Sequence, residues 1–343
     1  MVLCRFIAGE LIMRVCCILV TAVLSIPLAL SFARTPPAPL PALRPGTRVV
    51  LDAHNCYPYF EWWADRIDRA LSAGTPLAIE QDLLWTKNTK TGEAKSVVSH
   101  GAPATGAEPS LRDYFFERVR PIVEDALRQG NRGDWPLITL NLDVKSEEPE
   151  HLAAIWDLLS QYQDWLTTAT RTTDVLQNEP LAVRPILVLT GESEAQKRVF
   201  YDQVAVGARL LVFGAVQTNS ADPSAPPQVL APKAGDNYHR WWNNNWHVVE
   251  PAGQPHAGEW DSEKERRLRE LVEYAHTHNL WIRFYTLDGE TKSELSCNGW
   301  FGSYNFGSES AVRKRWEAAA AAGADFIATD QYEKLGAYLR SRR

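Results

Sequence analysis

Leu77-Ala-Ile-Glu-Gln-Asp-Leu-Leu-Trp85 is short and apolar, as a buried strand should be, yet it carries Glu80 and Asp82. A strand sends residues i and i+2 to one face, so both carboxylates project together. Like charges on one side of a buried strand repel and lose hydration unless a positive group lies between them. An arginine or lysine at the strand end is one answer. A divalent cation is the other, and oxygen ligands suit magnesium or calcium. A second short strand, Ser96 to Ser99, then ends on His100.

The same strand signal recurs along the chain. Upstream, Arg48-Val-Val-Leu-Asp-Ala53 delivers His54-Asn55-Cys56 at its end, and a helix over Glu61 to Ser72 follows, closed by Gly74. Downstream, Ser110 caps a helix over Leu111 to Gln129 that Pro121 should kink or split. Pro136 to Val144 is a strand whose end presents Asp143 and Lys145 on one face, and Pro149 opens the next helix. Further strands are expected at Pro185–Thr190, Ala208–Phe213, Tyr238–His247, Leu280–Tyr285 and Asp325–Thr329. Between them lie helices over Glu192–Tyr201, over a run opened by the capping box Ser262-x-x-Glu265, and over Ser308–Ala322. A final helix covers Tyr332–Arg340, and residues 215–237 read as a long loop.

Strands separated by helices imply parallel pairing with right-handed crossovers, and eight such units fit a closed (β/α)8 TIM barrel. Catalytic groups in that fold lie at the C-terminal ends of the strands. His54, Glu80, Asp82, His100, Asp143, Lys145 and Arg283 all fall at or near such ends. Surface charges scattered at random would not arrange themselves in this way.

Composition narrows the class. The chain has 343 residues, 36 of them basic and 42 acidic, for a formal charge of −6. That balance argues against nucleic acid as a partner, since a nucleic-acid binder shows a basic face. Residues 1–33 read as an export signal: Arg14, an apolar run from Val15 to Leu30, then Ser31-Phe32-Ala33 with small residues before a cut. An uncleaved membrane anchor is the alternative. A Pro- and Ala-rich linker spans 34–47, and the folded domain is expected over 48–343. Beyond the leader the cysteines are Cys56 and Cys297, which an oxidising compartment permits to pair.

Several segments together resemble the phospholipase C-like phosphodiesterase superfamily, above all its glycerophosphodiester phosphodiesterase branch. They are Asp52-Ala-His54-Asn55, Asp68 to Gly74 leading into Ile79-Glu-Gln-Asp82, His100, Leu140-Asn-Leu-Asp-Val-Lys145, and Gly323-Ala-Asp-Phe-Ile-Ala-Thr-Asp330. The resemblance implies that Glu80, Asp82 and Asp143 hold one divalent cation, Mg or Ca. It also implies that His54 and His100 form an acid–base pair and that Lys145 contacts phosphate. The chain departs from the branch pattern at Asn55-Cys56, where Arg-Gly is usual, at Gly101 in place of Asp, and at Asp143 in place of Glu. His100-Gly-x-Pro103 and the Asp-x-Lys look more like the sphingomyelinase D-type relatives, which form a cyclic phosphate.

The chemistry agrees with that reading. A phosphodiester needs its negative charge neutralised, a base for the nucleophile and an acid for the leaving oxygen. Imidazole titrates near neutral pH and supplies the last two. Arg283 and Trp246 join Lys145 as expected substrate contacts, the Trp from the run Trp241-Trp242-Asn-Asn-Asn-Trp246 flanked by His239 and His247. The substrate is expected to be a small-molecule or lipid phosphodiester, with peripheral membrane contact as an option. Each residue also has an ordinary role open to it, such as a strand-end cap for His54, a salt bridge for Lys145 or packing for the Trp cluster. From other classes, an exported glycoside hydrolase and a barrel that binds a phospho-ligand without turnover both remain as alternatives.

Overall fold

The computed structural model describes residues 43–58, 64–101, 104–219, 221–298 and 302–342. Eight strands form the barrel: β1 (Val50–Ala53), β2 (Leu77–Lys87), β3 (Ile138–Val144), β4 (Ile186–Thr190), β5 (Phe213–Ala215), β6 (His239–Asn245), β7 (Trp281–Tyr285) and β8 (Phe326–Thr329). Each pairs in parallel with the next, and β8 pairs back onto β1 through Val50↔Phe326 to Ala53↔Thr329. The sheet is therefore closed, and no barrel strand is left as an edge.

The connections are helical, as crossovers between parallel strands require. They comprise α1 (Arg66–Ser72), α2 (Glu117–Gln129), α3 (Pro149–Gln161), α4 (Glu194–Lys197), α5 (Pro227–Leu230), α6 (Ser262–Thr277), α7 (Lys292–Asn298), α8 (Glu309–Ala322) and α9 (Tyr332–Ser341). Among the described residues no helix is long and apolar enough to cross a membrane. The leader, residues 1–33, and most of the linker lie outside the described residues.

Where boundaries differ from expectation, the cause is local. The fifth barrel strand is Phe213–Ala215, whereas Arg209–Leu210 pairs with Ala169–Thr170 in a small separate sheet. Gly214 makes this possible, because a Cβ there would lie 2.4 Å from the Tyr238 ring. Helix α6 is capped by Asp261, whose Oδ1 accepts from the backbone of Glu263 and Lys264, so Ser262 is its first helical residue. Pro121 lies inside α2 without splitting it. The irregularity falls one turn earlier, in the π turn Arg112–Phe116.

Alternation along the strands sets two faces. Asp52, Glu80, Asn141, Asn243 and Arg283 face the barrel interior, while Ile79, Leu140, Leu142 and Phe284 face the helices and are buried there. The interior is thus polar toward the C-terminal ends of the strands. β2 runs beyond the rim and turns back as the antiparallel strand Ala94–Val98, with Leu83 opposite Val98 and Lys87 opposite Ala94.

Candidate functional site

The chain leaves β1 through His54 and turns sharply at Asn55, whose φ of 53° lies in the left-handed region that Asn tolerates better than most residues. That turn aims the Asn55 backbone N–H at Glu80 Oε2, 3.0 Å away. Its carbonyls are held from behind: Tyr332 Oη donates to His54 O at 2.6 Å, and Arg66 Nη1 donates to Asn55 O at 3.1 Å. The His54 ring is stacked on Tyr285 with centroids 5.8 Å apart. Its Nδ1 lies 3.1 Å from Asp330 Oδ1 and 2.6 Å from Asn55 Nδ2, while Nε2 lies 3.7 Å from Glu80 Oε2.

The parallel register of β2 and β3 places Asp82 beside Asp143. Glu80, Asp82 and Asp143 each offer an oxygen, and these atoms all lie within 4.8 Å of one another. Glu80 and Asp82 are buried and Asp143 is half-buried. Arg283, only 1% exposed, donates from Nε to Asp52 Oδ2 at 2.5 Å, from Nη1 to Asn243 Oδ1 at 3.0 Å and from Nη2 to Glu80 Oε2 at 3.2 Å. Lys145 donates to Asp143 Oδ2 at 2.6 Å, and its ammonium lies 3.2 Å from Asp82 Oδ2.

The charge balance is uneven within this group. Burial alone would raise Glu80, but Arg283 and His54 outweigh it and hold the carboxyl down at about 2. Burial pushes Asp82 well above the usual carboxylate range, aided by Glu80 and Asp143 and opposed by Lys145. Asp82 Oδ1 has no hydrogen-bond partner among the described residues. A buried carboxylate left in that state calls for a cation. The all-oxygen donor set suits a hard divalent ion, and the Lys145 ammonium beside Asp82 and Asp143 marks where positive charge is favoured. The residues present fit such an ion.

His100 follows the returning strand. Ser99 N donates to Asp82 O at 2.9 Å, which brings His100 to the mouth above the carboxylates, with its ring 5.7 Å from that of Tyr57. It is exposed on one side; burial of the other, and then Lys145, lower it below the ordinary histidine value. His54 is the opposite case. Burial disfavours its charged ring, yet Glu80 and Asp330 outweigh burial and raise it to about 9.

The structure thus brings His54, His100, Glu80, Asp82, Asp143 and Lys145 together at one mouth. Two expected substrate contacts do not reach the site as substrate contacts. Arg283 lies beneath it, fully engaged in positioning Glu80, because its strand position is inward but below the rim. Trp246 is fully buried, donates to Glu250 Oε2 at 2.8 Å and packs on Phe284, whose side chain points toward the helices rather than into the barrel. His239 pairs with Asp236 at 2.8 Å, and neither it nor His247 joins a cation-holding group among the described residues. Cys56 is a buried free cysteine, and the side chain of Cys297 lies outside the described residues.

Sequence reasoning passed over Asp52, Asp288 and Asp330. Asp52 stands two residues before His54, hence on its face of β1. Asp330 directly follows the last strand, so both carried a usable signal. Asp288 sits in a loop with none.

No protein-family model matches the chain, and no curated protein matches it. Similar solved structures include the following two. One is a calcium-dependent phosphoinositol-specific phospholipase C from a Gram-negative bacterium, Pseudomonas sp., at 12% identity and a TM-score of 0.47, covering 83% of this chain and 90% of that one. The other is a Ca²⁺-dependent phosphatidylinositol-specific phospholipase C from Streptomyces antibioticus, at 16% identity and a TM-score of 0.46, covering 86% and 96%. The closed barrel itself stands on this chain's own strand pairing.

Proposed function

We propose that the chain is an exported, metal-dependent phosphodiesterase that cleaves a glycerophosphodiester or a phospholipid head-group P–O bond. The observation that supports this best is the convergence of Glu80, Asp82 and Asp143 within 4.8 Å beside His54. A divalent cation on those three carboxylates supplies Lewis-acid neutralisation of the phosphate charge. The protein's own residues do the rest. Lys145 adds a second positive charge at the rim. In the cation-free protein Glu80 and Asp330 outweigh burial and raise His54 to about 9, so that ring carries a positive charge near neutral pH, while burial lowers His100. That is the charge state an acid–base pair requires. Asp330 keeps the His54 ring oriented, with Nε2 on the Glu80 side.

A glycoside hydrolase fits less well. Its two carboxyl groups stand about 5–5.5 Å apart for retention and about 6.5–9.5 Å apart for inversion. Here the carboxylates crowd more closely, and the histidines would have no task.

The test is turnover of bis(p-nitrophenyl) phosphate by the mature protein, with EDTA and with added calcium or magnesium. Activity should vanish on chelation and return with one ion, and ³¹P NMR of the product from a glycerophosphodiester, which carries the neighbouring hydroxyl, separates a cyclic phosphate from an open monoester. If His54→Ala or His100→Ala kept most of the wild-type rate, the acid–base assignment would fail. Export rests on residues 1–33 and is tested by the N-terminus of the protein recovered outside the cell.

A further inference from the structure

On the far side of the His54 ring from Glu80 lies a second group of titratable side chains. His54, Asp288 and Asp330 each offer an atom within 4.8 Å of the others, and all three are buried. Asp288 belongs to the loop after β7. Its Oδ1 accepts from the backbone N–H of Asp330 at 2.7 Å and from Thr329 Oγ1 at 2.8 Å. The same loop is fastened at further points, with Phe306 N donating to Asp288 O at 2.8 Å and Gly289 N donating to Gln331 Oε1 at 2.8 Å. Asp330 Oδ1 in turn meets His54 Nδ1 at 3.1 Å and Asn55 Nδ2 at 3.2 Å.

We propose that Asp288 is a positioning residue for the reaction: by gripping the Thr329–Asp330 turn through two hydrogen bonds, it fixes the carboxylate that orients His54. This rests on the reading of His54 as one of the acid–base pair. Asp288 itself touches neither substrate nor cation. It makes no hydrogen bond to His54 itself; its bonds run to the Thr329–Asp330 turn, which meets His54 through the Asp330 carboxylate at Nδ1 and through the Thr329 carbonyl, 3.2 Å from the His54 backbone N–H. Arg66 Nη1, 3.7 Å from Asp330 Oδ1, supplies positive charge to this group.

The experiment is a double-mutant cycle on the full-length mature enzyme with calcium and bis(p-nitrophenyl) phosphate. Asp288→Ala should lower kcat roughly tenfold to a hundredfold, with KM changed by less than about twofold. Asp288→Asn, which keeps an accepting oxygen, should stay within about threefold of wild type. In an Asp330→Ala background, Asp288→Ala should cost much less than in wild type, because the carboxylate it positions against His54 Nδ1 is already gone. An equal loss in both backgrounds, or no loss in either, overturns the proposal. So does calcium titration that gives two ions per wild-type chain and one per Asp288→Ala chain. If Asp288→Ala does not fold, Asp288→Ser takes its place, since its side chain is too short to span both donors.

A readout independent of turnover is the His54 Nδ1 proton in the cation-free protein at pH 6. It should appear as a slowly exchanging downfield resonance in wild type and Asp288→Asn and be lost in Asp288→Ala. Its persistence in Asp288→Ala overturns the proposal. A wild type with the expected proton behaviour that is inactive on bis(p-nitrophenyl) phosphate and on hydroxyl-bearing glycerophosphodiesters and phospholipids alike would instead overturn the phosphodiesterase reading.

Discussion

Lys145 donates to Asp143 Oδ2 across 2.6 Å, two residues away at the end of the same strand, and so keeps its ammonium against the carboxylates. It also lies 3.2 Å from Asp82. The ammonium and a divalent cation therefore seek the same oxygens and repel each other at short range. Lys145→Met should bind calcium about tenfold more tightly than wild type by isothermal titration calorimetry. Turnover should fall about a hundredfold, as the phosphate loses a positioned charge. Unchanged calcium affinity would show that the ammonium stands clear of the ion.

Asp82 behaves in the opposite sense. Its folded-state pKa is raised, so the folded protein holds that proton more firmly than the unfolded chain. As pH rises above the unfolded carboxylate value of about 4, the cation-free fold loses stability on this account. Asp82→Asn should remove that loss and melt higher than wild type in EDTA at neutral pH. Adding calcium at a hundred times its Kd should stabilise wild type by about 2.7 kcal/mol and the variant not at all. Differential scanning calorimetry with and without the ion decides it.

His54 gives a pH signature. Its folded value of about 9 exceeds the ordinary 6.5, so its stabilising contribution is complete below about pH 6.5 and is lost as pH rises through 9. In EDTA, urea unfolding should show stability falling between those limits, and His54→Gln should flatten that slope. A bound cation neutralises part of the Glu80 charge. The His54 titration, followed by NMR, should therefore move down when calcium is added. An unshifted titration would place the ion away from Glu80.

Arg283 and Trp246 are predicted to differ. Removing one partner of a buried ion pair leaves the other uncompensated and costs about 3–5 kcal/mol. Arg283→Gln should show a loss of that size in urea unfolding and should also weaken calcium binding, because Glu80 loses its support. Trp246→Phe should cost about 1–3 kcal/mol for the orphaned Glu250 contact and the lost packing, with KM unchanged. A raised KM in Trp246→Phe would return that residue to the substrate site.

The closed barrel was legible because parallel strands read as apolar runs, and carboxylates within such runs stand out. Glu80 and Asp82 announced themselves for that reason, and the i, i+2 rule placed Asp143 and Lys145 on one face. What the sequence withheld was depth and facing at the ends of strands. Arg283 sits on the correct face but too low to meet a ligand, and no pattern in Trp281 to Tyr285 records height along the barrel axis. Trp246 follows the end of β6 in a short 3₁₀ turn, where alternation no longer applies. The fifth strand lies at Phe213–Ala215, past the apolar run before it, where Gly214 leaves room for the Tyr238 ring. Asp288 could not be found from sequence, since its role comes from a loop meeting the end of β8, with Asp330 standing 42 positions further along the chain.

The returning strand that carries His100 is in antiparallel register with the outer part of β2, from Leu83↔Val98 to Lys87↔Ala94. This has a consequence for how such a protein can change length. Residues added at the tip, between Lys87 and Ala94, lengthen the projection while leaving Glu80, Asp82 and His100 where they are. A single residue inserted in only one arm slips the pairing, turns Val97 and Val98 to opposite faces and displaces the His100 that follows them. The tip is therefore the place where descendants of this chain can acquire new segments, and the two arms are where an insertion removes one of the histidines from the mouth.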